Sequence, residues 1–265
     1  MGDGGDTSFW DHLDVFRKSL IRCVVVISAV AVAVFCCKDF VFDSVIFSPC
    51  RSDFVSYRLL CGLANCLDLP QLCPQMQTIE MINIHLASQL MTHISVSFYV
   101  ALVVAFPYLV IELWLFVAPA LYDRERSILV KGAFAFCFQF FLGVLIAYFL
   151  IFPLTLNFLG TYQVSESVVN QIALNSYIST FIGMLFTMGL MFEMPIVAYF
   201  FSKIGVLSSR FLCRYRKVAV VIVLVAAAFI TPSTDVFTMF LVASPLYLLY
   251  EMSVVIVKRV ERKNK

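Results

Sequence analysis

The sequence predicts an all-α polytopic membrane protein, and three observations lead to that fold class. Hydrophobic residues make up 62% of the 265 positions and charged residues only 14%, which is too apolar for a soluble domain of this length. The apolar residues form long continuous runs, and a helix needs about 20 of them to cross the hydrocarbon core of a bilayer. These runs do not alternate with a period of two, which excludes a transmembrane β-barrel.

Six apolar segments are long enough, or nearly long enough, to span the bilayer. They are residues 20–37, 94–111, 132–160, 174–202, 218–230 and 236–257. The fifth has only 13 residues, which is about 20 Å of helix. Pro245 and Glu251 interrupt the sixth. We therefore expect six transmembrane helices with a short fifth and sixth helix.

The distribution of Lys and Arg predicts the orientation of these helices. Of the 19 Lys and Arg residues, only Lys38, Arg51 and Arg58 fall in the loop after the first span, and none falls in the loops after the third and fifth spans. Cytoplasmic loops carry the excess of basic residues, so both termini are expected in the cytoplasm. Residues 1–19 are expected to form a cytoplasmic amphipathic helix, 20–257 the transmembrane domain with an outer loop at 38–91, and 258–265 a basic cytoplasmic tail.

Polar residues give no sign of catalytic or metal chemistry. The sequence has no phosphate-binding GxxxxGK[ST] loop and no HExxH, and its three His are scattered. We therefore expect no enzyme, no cofactor, no metal and no nucleic-acid partner. Four cysteines lie in the outer loop, where oxidation can join a pair, and any of three connectivities remains open. They are Cys50, Cys61, Cys66 and Cys73.

Glu193, in MGLMFEMPI, is the ionisable residue in the most costly place. A carboxylate at the centre of a bilayer costs roughly 2.5–3.5 kcal/mol even on lenient insertion scales, so an intramembrane Glu is a functional candidate. Pro195 denies a backbone donor to the preceding turn, which can open the helix to a polar partner. The alternative is a protonated Glu bonded to a neighbouring helix. Glu112 and Glu251 lie nearer the predicted cytoplasmic ends and are assigned to the interface.

The stretch FWDHLDVFRKSL begins the chain's first helix. Ser8 and Asp11 can form a capping box. An apolar stripe follows at helical spacing, which predicts an amphipathic helix on the cytoplasmic interface. Its members are Phe9, Leu13, Phe16 and Leu20. The alternative is a lipid anchor in which the basic residues of this stretch contact anionic headgroups.

An ordered series of motifs resembles the TatC family, the multispanning receptor subunit of the twin-arginine protein translocase. FWDHLDVFRKSL resembles the family's amino-terminal signature, F-x-x-H-L-x-E-L-R-x-R-L. FPYLVIELWLFVAPALYDRER, FLGVLIAYFLIFPLTLNFLG, MGLMFEMP, ITPSTD and PLYLLYE follow in family order. The resemblance implies a receptor in the bacterial inner membrane that recognises the paired arginines of signal peptides on folded precursors. It also implies single-span TatA/TatB-type partners, an oligomeric complex, membrane lipid as surroundings, and export driven by the proton gradient.

The resemblance also assigns functional residues. Glu125 in LYDRERS matches the family's loop glutamate that reads the arginine pair, Phe116 matches the aromatic residue that supports it, and Arg17 matches the first arginine of the amino-terminal signature. Three further matches are Pro49 and Asp235 in the outer loops and Glu193 in the concave membrane face.

Two departures from the family pattern bear on the site. Val15 replaces a glutamate and Ser19 replaces an arginine. The first change removes one of two carboxylates expected to face the arginine pair, and Asp11 or Asp14 is expected to supply it. A secondary transporter and a structural membrane scaffold are the alternative functions. A transporter would have paired broken helices, but Glu193 has no counterpart in the first half of the chain.

Overall fold

The computed structural model describes residues 9–51, 53–66, 81–84, 86–117, 126–162, 171–231 and 235–263. Helices dominate it. In chain order they are α1 (Phe9–Cys36), α2 (Val55–Cys66), α3 (Ser88–Val117), α4 (Arg126–Ile146), α5 (Phe152–Thr161), α6 (Leu174–Phe192), α7 (Met194–Lys203), α8 (Ser209–Arg214), α9 (Arg216–Ile230) and α10 (Val236–Lys263). A π-helical segment (Phe40–Ile46) and a 3₁₀ turn (Ser48–Cys50) follow α1, and a π-helical turn (Ala147–Ile151) joins α4 to α5. Two short strands, β1 (Met81–Ile82) and β2 (Ile172–Ala173), pair in parallel with Met81 opposite Ile172.

The helices confirm an all-α polytopic membrane fold. Five described helical stretches are long and apolar enough to cross a membrane, namely 13–36, 88–115, 132–161, 174–203 and 236–262. They coincide with the first, second, third, fourth and sixth predicted spans. The short fifth span corresponds to α9, which has 15 residues.

The sixth helix is longer than the sequence indicates. α10 has 28 residues and includes Pro245. Proline is tolerated inside membrane helices where neighbouring groups satisfy the freed backbone. The charge of Glu251 is paired with Arg216, so neither residue ends the helix. Residues 258–263 continue α10 as its last turns.

The amino-terminal segment is also continuous with its span. α1 runs from Phe9 to Cys36 without a break at residues 19–20. Ser8, the expected cap, lies outside the described residues, as does the side chain of Asp11. The described members of the apolar stripe are exposed: Leu13, Phe16 and Leu20.

The chain divides into two compact units. The first comprises Met1–Lys38 and His93–Phe138, and the second comprises Asp39–Thr92 and Gln139–Lys265. In the first unit, α1 packs against α3, and one of their contacts is the stacking of Phe35 on His93 with ring centroids 3.9 Å apart.

The second unit has an aromatic core in which tyrosine hydroxyls donate hydrogen bonds to backbone carbonyls. Tyr57 donates to the carbonyls of Pro49 (3.0 Å) and Pro153 (3.3 Å), and Tyr177 donates to the carbonyl of Ile46 (2.6 Å). Buried hydroxyls need such partners, because an unpaired one costs about 1–3 kcal/mol. Burial raises the pKa of the Tyr57 hydroxyl above its usual range, so it stays a donor. These bonds attach the segment after α1 to α2 and α6, and they attach α2 to α5.

Candidate functional site

Glu193 occupies the junction between α6 and α7. Its backbone N–H donates to the carbonyls of Leu190 and Met191, and α7 begins at the next residue with Pro195 in its first turn. Pro195 has no N–H for the i−4 carbonyl, so the regular helical ladder cannot pass through this point. The helical break expected from Pro195 is therefore present.

The Glu193 side chain points into the protein and is only 7% exposed. Within the described part of the chain, neither carboxylate oxygen makes a regular hydrogen bond. The backbone of Phe140, on α4, interacts with the Glu193 carboxyl group. A carboxyl group buried with so few partners costs free energy, so this position is a poor choice for packing alone.

Two glycines bring α4 and α6 into close contact beside this break. A Cβ on Gly143 would lie 2.8 Å from the carbonyl oxygen of Met188 and from Cβ and Cγ of Phe192. A Cβ on Gly189 would lie 2.7 Å from the ring of Phe140. Both distances are shorter than any ordinary contact, so a Cβ at either position would have to displace its neighbour. Small residues at membrane helix interfaces allow the backbones to approach in this way.

A second buried carboxylate lies in the first unit, on α3. Glu112 is 5% exposed, and three side chains donate hydrogen bonds to its carboxylate. Ser19 donates to Oε2 at 2.7 Å, Tyr108 donates to Oε1 at 2.8 Å, and Nη2 of Arg22 donates to Oε2 at 3.0 Å and to the Ser19 hydroxyl at 3.1 Å. We call these four residues the Glu112 cluster. The sequence places Glu112 at the interface but does not indicate that α1 supplies its partners.

The Glu112 cluster sets the relative position of α1 and α3. Glu112 is five residues from the end of α3 at Val117, which is about 8 Å of helix. Arg22 is 13 residues from the start of α1 at Phe9, or about 20 Å. The two helices run antiparallel, since α1 ends beside the start of α3 at the Phe35 and His93 stack. The first turns of α1 therefore extend beyond the end of α3.

The second unit contains a matching but more exposed pair. Arg216 Nη2 donates to Oε2 of Glu251 at 2.8 Å, and the Tyr247 hydroxyl donates to Oε1 at 3.2 Å. In both cases a tyrosine four residues earlier on the same helix supports the glutamate. The side chain of Glu251 is 32% exposed, against 7% for Glu112, so Glu112 is the more strongly desolvated of the two.

The remaining predicted residues have separate positions. Pro49 is buried in the 3₁₀ turn, where its carbonyl accepts from Tyr57. Asp235 precedes α10, and its carboxylate accepts from the backbone N–H of Thr238 at 2.8 Å, so it caps that helix. Asp14 and Arg17 are exposed on α1. Glu125 and the side chain of Phe116 lie outside the described residues.

Two of the four outer-loop cysteines have described side chains. Cys61 is disulfide-bonded and Cys50 is free. Burial raises the pKa of the Cys50 thiol. The side chains of Cys66 and Cys73 are outside the described set. Among the described residues, no group of three or more His, Cys, Asp or Glu side chains could hold a metal ion.

These features define a multi-pass α-helical membrane protein whose most unusual polar groups are buried carboxylates. A family model described as Sec-independent protein translocase protein (TatC) matches residues 11–245. The chain is 33% identical over 258 residues to the Sec-independent protein translocase protein TatC of Blattabacterium sp. subsp. Periplaneta americana, covering 97% of each chain. It is 31% identical over 254 residues to that of Campylobacter jejuni, covering 96% of this chain and 95% of the relative.

A solved structure agrees with these sequence matches. The crystal structure described as the twin arginine translocase receptor TatC superposes with a TM-score of 0.71 at 29% identity, covering 94% of this chain and 99% of that one. A second crystal structure, of the same receptor in DDM, gives a TM-score of 0.74 at 29% identity, covering 92% and 98%. The chain therefore belongs to the TatC family of Sec-independent protein translocase components. Proteins of this family act in transport and not as enzymes.

Proposed function

We propose that the chain is the receptor of a twin-arginine translocase. It recognises the paired arginines of signal peptides on folded precursors and assembles with single-span TatA/TatB-type subunits in the bacterial inner membrane. The observation that carries the proposal is the match over 94% of this chain to a crystal structure described as a twin arginine translocase receptor. Both termini are cytoplasmic, in keeping with the Lys and Arg distribution.

Glu125 is the main carboxylate for the signal peptide in this proposal. A guanidinium binds a carboxylate in a fixed bidentate geometry, which an ammonium cannot reproduce, so a carboxylate site can distinguish paired Arg from paired Lys. Phe116 is the aromatic residue that supports Glu125 in this proposal, as its match to the family motif implies. Arg17 lies on the exposed face of α1 in the same site, and Asp11 and Asp14 add negative charge there.

Glu193 is the contact for a partner helix. Its burial beside a helix break, with few polar partners of its own, supports a role in which the break opens and another chain supplies the missing hydrogen bonds. Single-span subunits that carry a polar side chain at membrane depth can do this. Pro49 and Asp235 hold the segments outside the membrane in place, Pro49 through Tyr57 and Asp235 as the cap of α10.

Copurification tests the receptor function. The full-length chain, tagged and expressed with its single-span partners, should retain a precursor with a twin-arginine signal and not the same precursor with paired lysines. Glu125→Ala should abolish retention, while Asp53→Asn, which changes an exposed carboxylate outside the proposed site, should not. Equal retention of the two precursors by the wild-type chain would exclude the function. A structural scaffold, the alternative, would tolerate both Glu125→Ala and Glu193→Ala.

A further inference from the structure

The Glu112 cluster contains an arginine bound to a carboxylate. It lies in the same unit of the chain as α1, and α1 lacks one of the carboxylates expected in the signal-peptide site because Val15 replaces a glutamate. Val15 and Ser19 are four residues apart on α1, so their side chains point in directions only about 40° apart. Ser19 donates its hydroxyl to Glu112 at 2.7 Å. The carboxylate of Glu112 therefore lies one helical turn from the position that lacks one.

The aspartates of α1 lie at other angles around the helix than Ser19. Asp14 is five residues from Ser19, which turns it about 140° away from the face that meets Glu112, and it is exposed. Asp11 is eight residues from Ser19, or about 80° around the helix. Among the carboxylates with described side chains, Glu112 is the one that the fold places beside this face of α1.

We propose that Glu112 is a second arginine-binding carboxylate of the signal-peptide site and that Arg22 occupies it until a signal peptide arrives. This inference rests on the proposed receptor function and adds to it. An arginine of the signal peptide displaces Arg22 from Glu112, while the other arginine binds Glu125. The exchange neither takes up nor releases a proton, because one guanidinium replaces another on the same carboxylate.

The geometry of the Arg22 contact makes it replaceable. Arg22 uses one nitrogen, Nη2, for both its bond to Glu112 and its bond to Ser19. It therefore makes a single hydrogen bond to the carboxylate and not the two parallel bonds of a bidentate pair, which are stronger. The Arg22 side chain is 56% exposed, so it already borders water and has a solvated position to occupy once it is displaced.

The carboxylate itself is prepared to receive a new guanidinium. Its two oxygens offer about four acceptor positions. Ser19 and Tyr108 fill one on each oxygen and fix the orientation of the group. Once Arg22 leaves, one position is open on Oε1 and one on Oε2, which is the arrangement that the fork of a guanidinium requires. The Glu112 side chain is 7% exposed, so Arg22 covers the site in the resting protein.

A binding measurement on the full-length protein tests the exchange. The probe is a fluorescent synthetic signal peptide with paired arginines, and its paired-lysine counterpart is the control. Glu112→Gln should weaken binding of the arginine peptide roughly tenfold, which corresponds to about 1.4 kcal/mol. Arg22→Ala should strengthen binding about three- to fivefold, because a competing group that is only partly exposed has been removed.

The double variant Arg22→Ala/Glu112→Gln provides the decisive comparison. It should bind no better than Glu112→Gln alone, because Arg22 competes only at Glu112. A gain from Arg22→Ala that persists in the Glu112→Gln background would show a general effect of removing positive charge and overturn the exchange. Arg22→Lys keeps the charge and preserves folding if the alanine variant does not. It should bind the arginine peptide more tightly than wild type, since an ammonium lacks the guanidinium geometry.

The matched control is the other arginine and glutamate pair. Arg216→Ala and Glu251→Gln break an ion pair of the same composition, also supported by a tyrosine, and should leave peptide binding unchanged. If the wild-type chain does not distinguish the arginine peptide from the lysine peptide, the receptor function itself fails. If it does distinguish them but Glu112→Gln binds like wild type, only the inference about Glu112 and Arg22 is overturned.

Discussion

Replacement of Gly143 by alanine tests the close contact that positions the Glu193 break. A Cβ at this position would lie 2.8 Å from the carbonyl oxygen of Met188, whereas ordinary contact begins at 3.4 Å. The backbone of α6 cannot rotate away as a side chain can, so α4 and α6 must separate by about 0.6 Å locally. A gap of that size forfeits roughly a quarter of the dispersion energy of each contact across it.

The expected cost is about 1–3 kcal/mol in the free energy of unfolding, the range for an overpacked core. At about 2–4 °C per kcal/mol for a chain of this size, the melting temperature should fall by roughly 2–12 °C. Thermal melting of the detergent-solubilised protein, followed by far-UV circular dichroism, measures the melting temperature. Gly189→Ala should cost less, because the atoms in its way are the ring of Phe140 and a methyl group of Val144, which can move.

Gly183→Ala is the matched control. Gly183 also lies on α6, but a Cβ there meets nothing within 4 Å. Alanine is the better helix former by about 1 kcal/mol, so this variant should melt at or slightly above the wild-type temperature. A Gly143→Ala protein that melts like Gly183→Ala would show that α4 and α6 are farther apart than described and would refute the reasoning.

The remaining predictions concern orientation, partner contact and the outer segments. Single cysteines at Ser209 and Lys263 in a Cys-free background should react only with membrane-permeant maleimide, whereas one at Ser165 should react with an impermeant reagent, and impermeant labelling at Lys263 in intact cells would reverse the orientation. Glu193→Gln should leave signal-peptide binding near normal while export falls, and wild-type export by Glu193→Leu would make the residue a packing group. Tyr57→Phe leaves two buried carbonyls short of a donor and should lower the free energy of unfolding by about 1–2 kcal/mol, measured by thermal melting, with no change in maleimide accessibility at Ser209.

The membrane spans were predictable because hydropathy is a local property of the sequence. A long run of apolar residues is stable in the lipid, so the length of the run predicts the length of the membrane-spanning helix. The break at Glu193 was predictable for a similar reason, since Pro195 removes a backbone donor wherever the helix packs. The length of α10 was not, because Pro245 and Glu251 interrupt the apolar run, and Arg216, which pairs with Glu251, is 35 residues away in sequence.

The Glu112 cluster lay beyond sequence reasoning for the same physical reason. Its partners Ser19 and Arg22 precede Glu112 by 93 and 90 residues, and only the packing of α1 on α3 brings them together. In the motif alone, Ser19 is only a departure from the arginine that the family has at this position. In the structure a short hydroxyl at that position allows Glu112 and Arg22 to meet. Gly143 and Gly189 likewise carry no signal until the helix facing them is known.

The salt dependence of signal-peptide binding separates long-range attraction by the aspartates of α1 from direct contact with Glu112. Asp14 is exposed, and an exposed ion pair contributes about 0–1 kcal/mol because water and salt screen it. Glu112 is buried beneath Arg22, so its pairing with a guanidinium is far less screened.

The double variant Asp11→Asn/Asp14→Asn should therefore bind the paired-arginine peptide several-fold more weakly at low ionic strength, mainly through a slower association rate. In 1 M salt, where the Debye length is about 3 Å, its affinity should equal that of the wild-type chain. The loss in Glu112→Gln should persist there, and Val15→Glu should partly restore binding to either variant. Stopped-flow fluorescence at the two salt concentrations separates the two effects. A salt-independent loss in the double aspartate variant would place one of these aspartates, and not Glu112, in direct contact with the arginine pair.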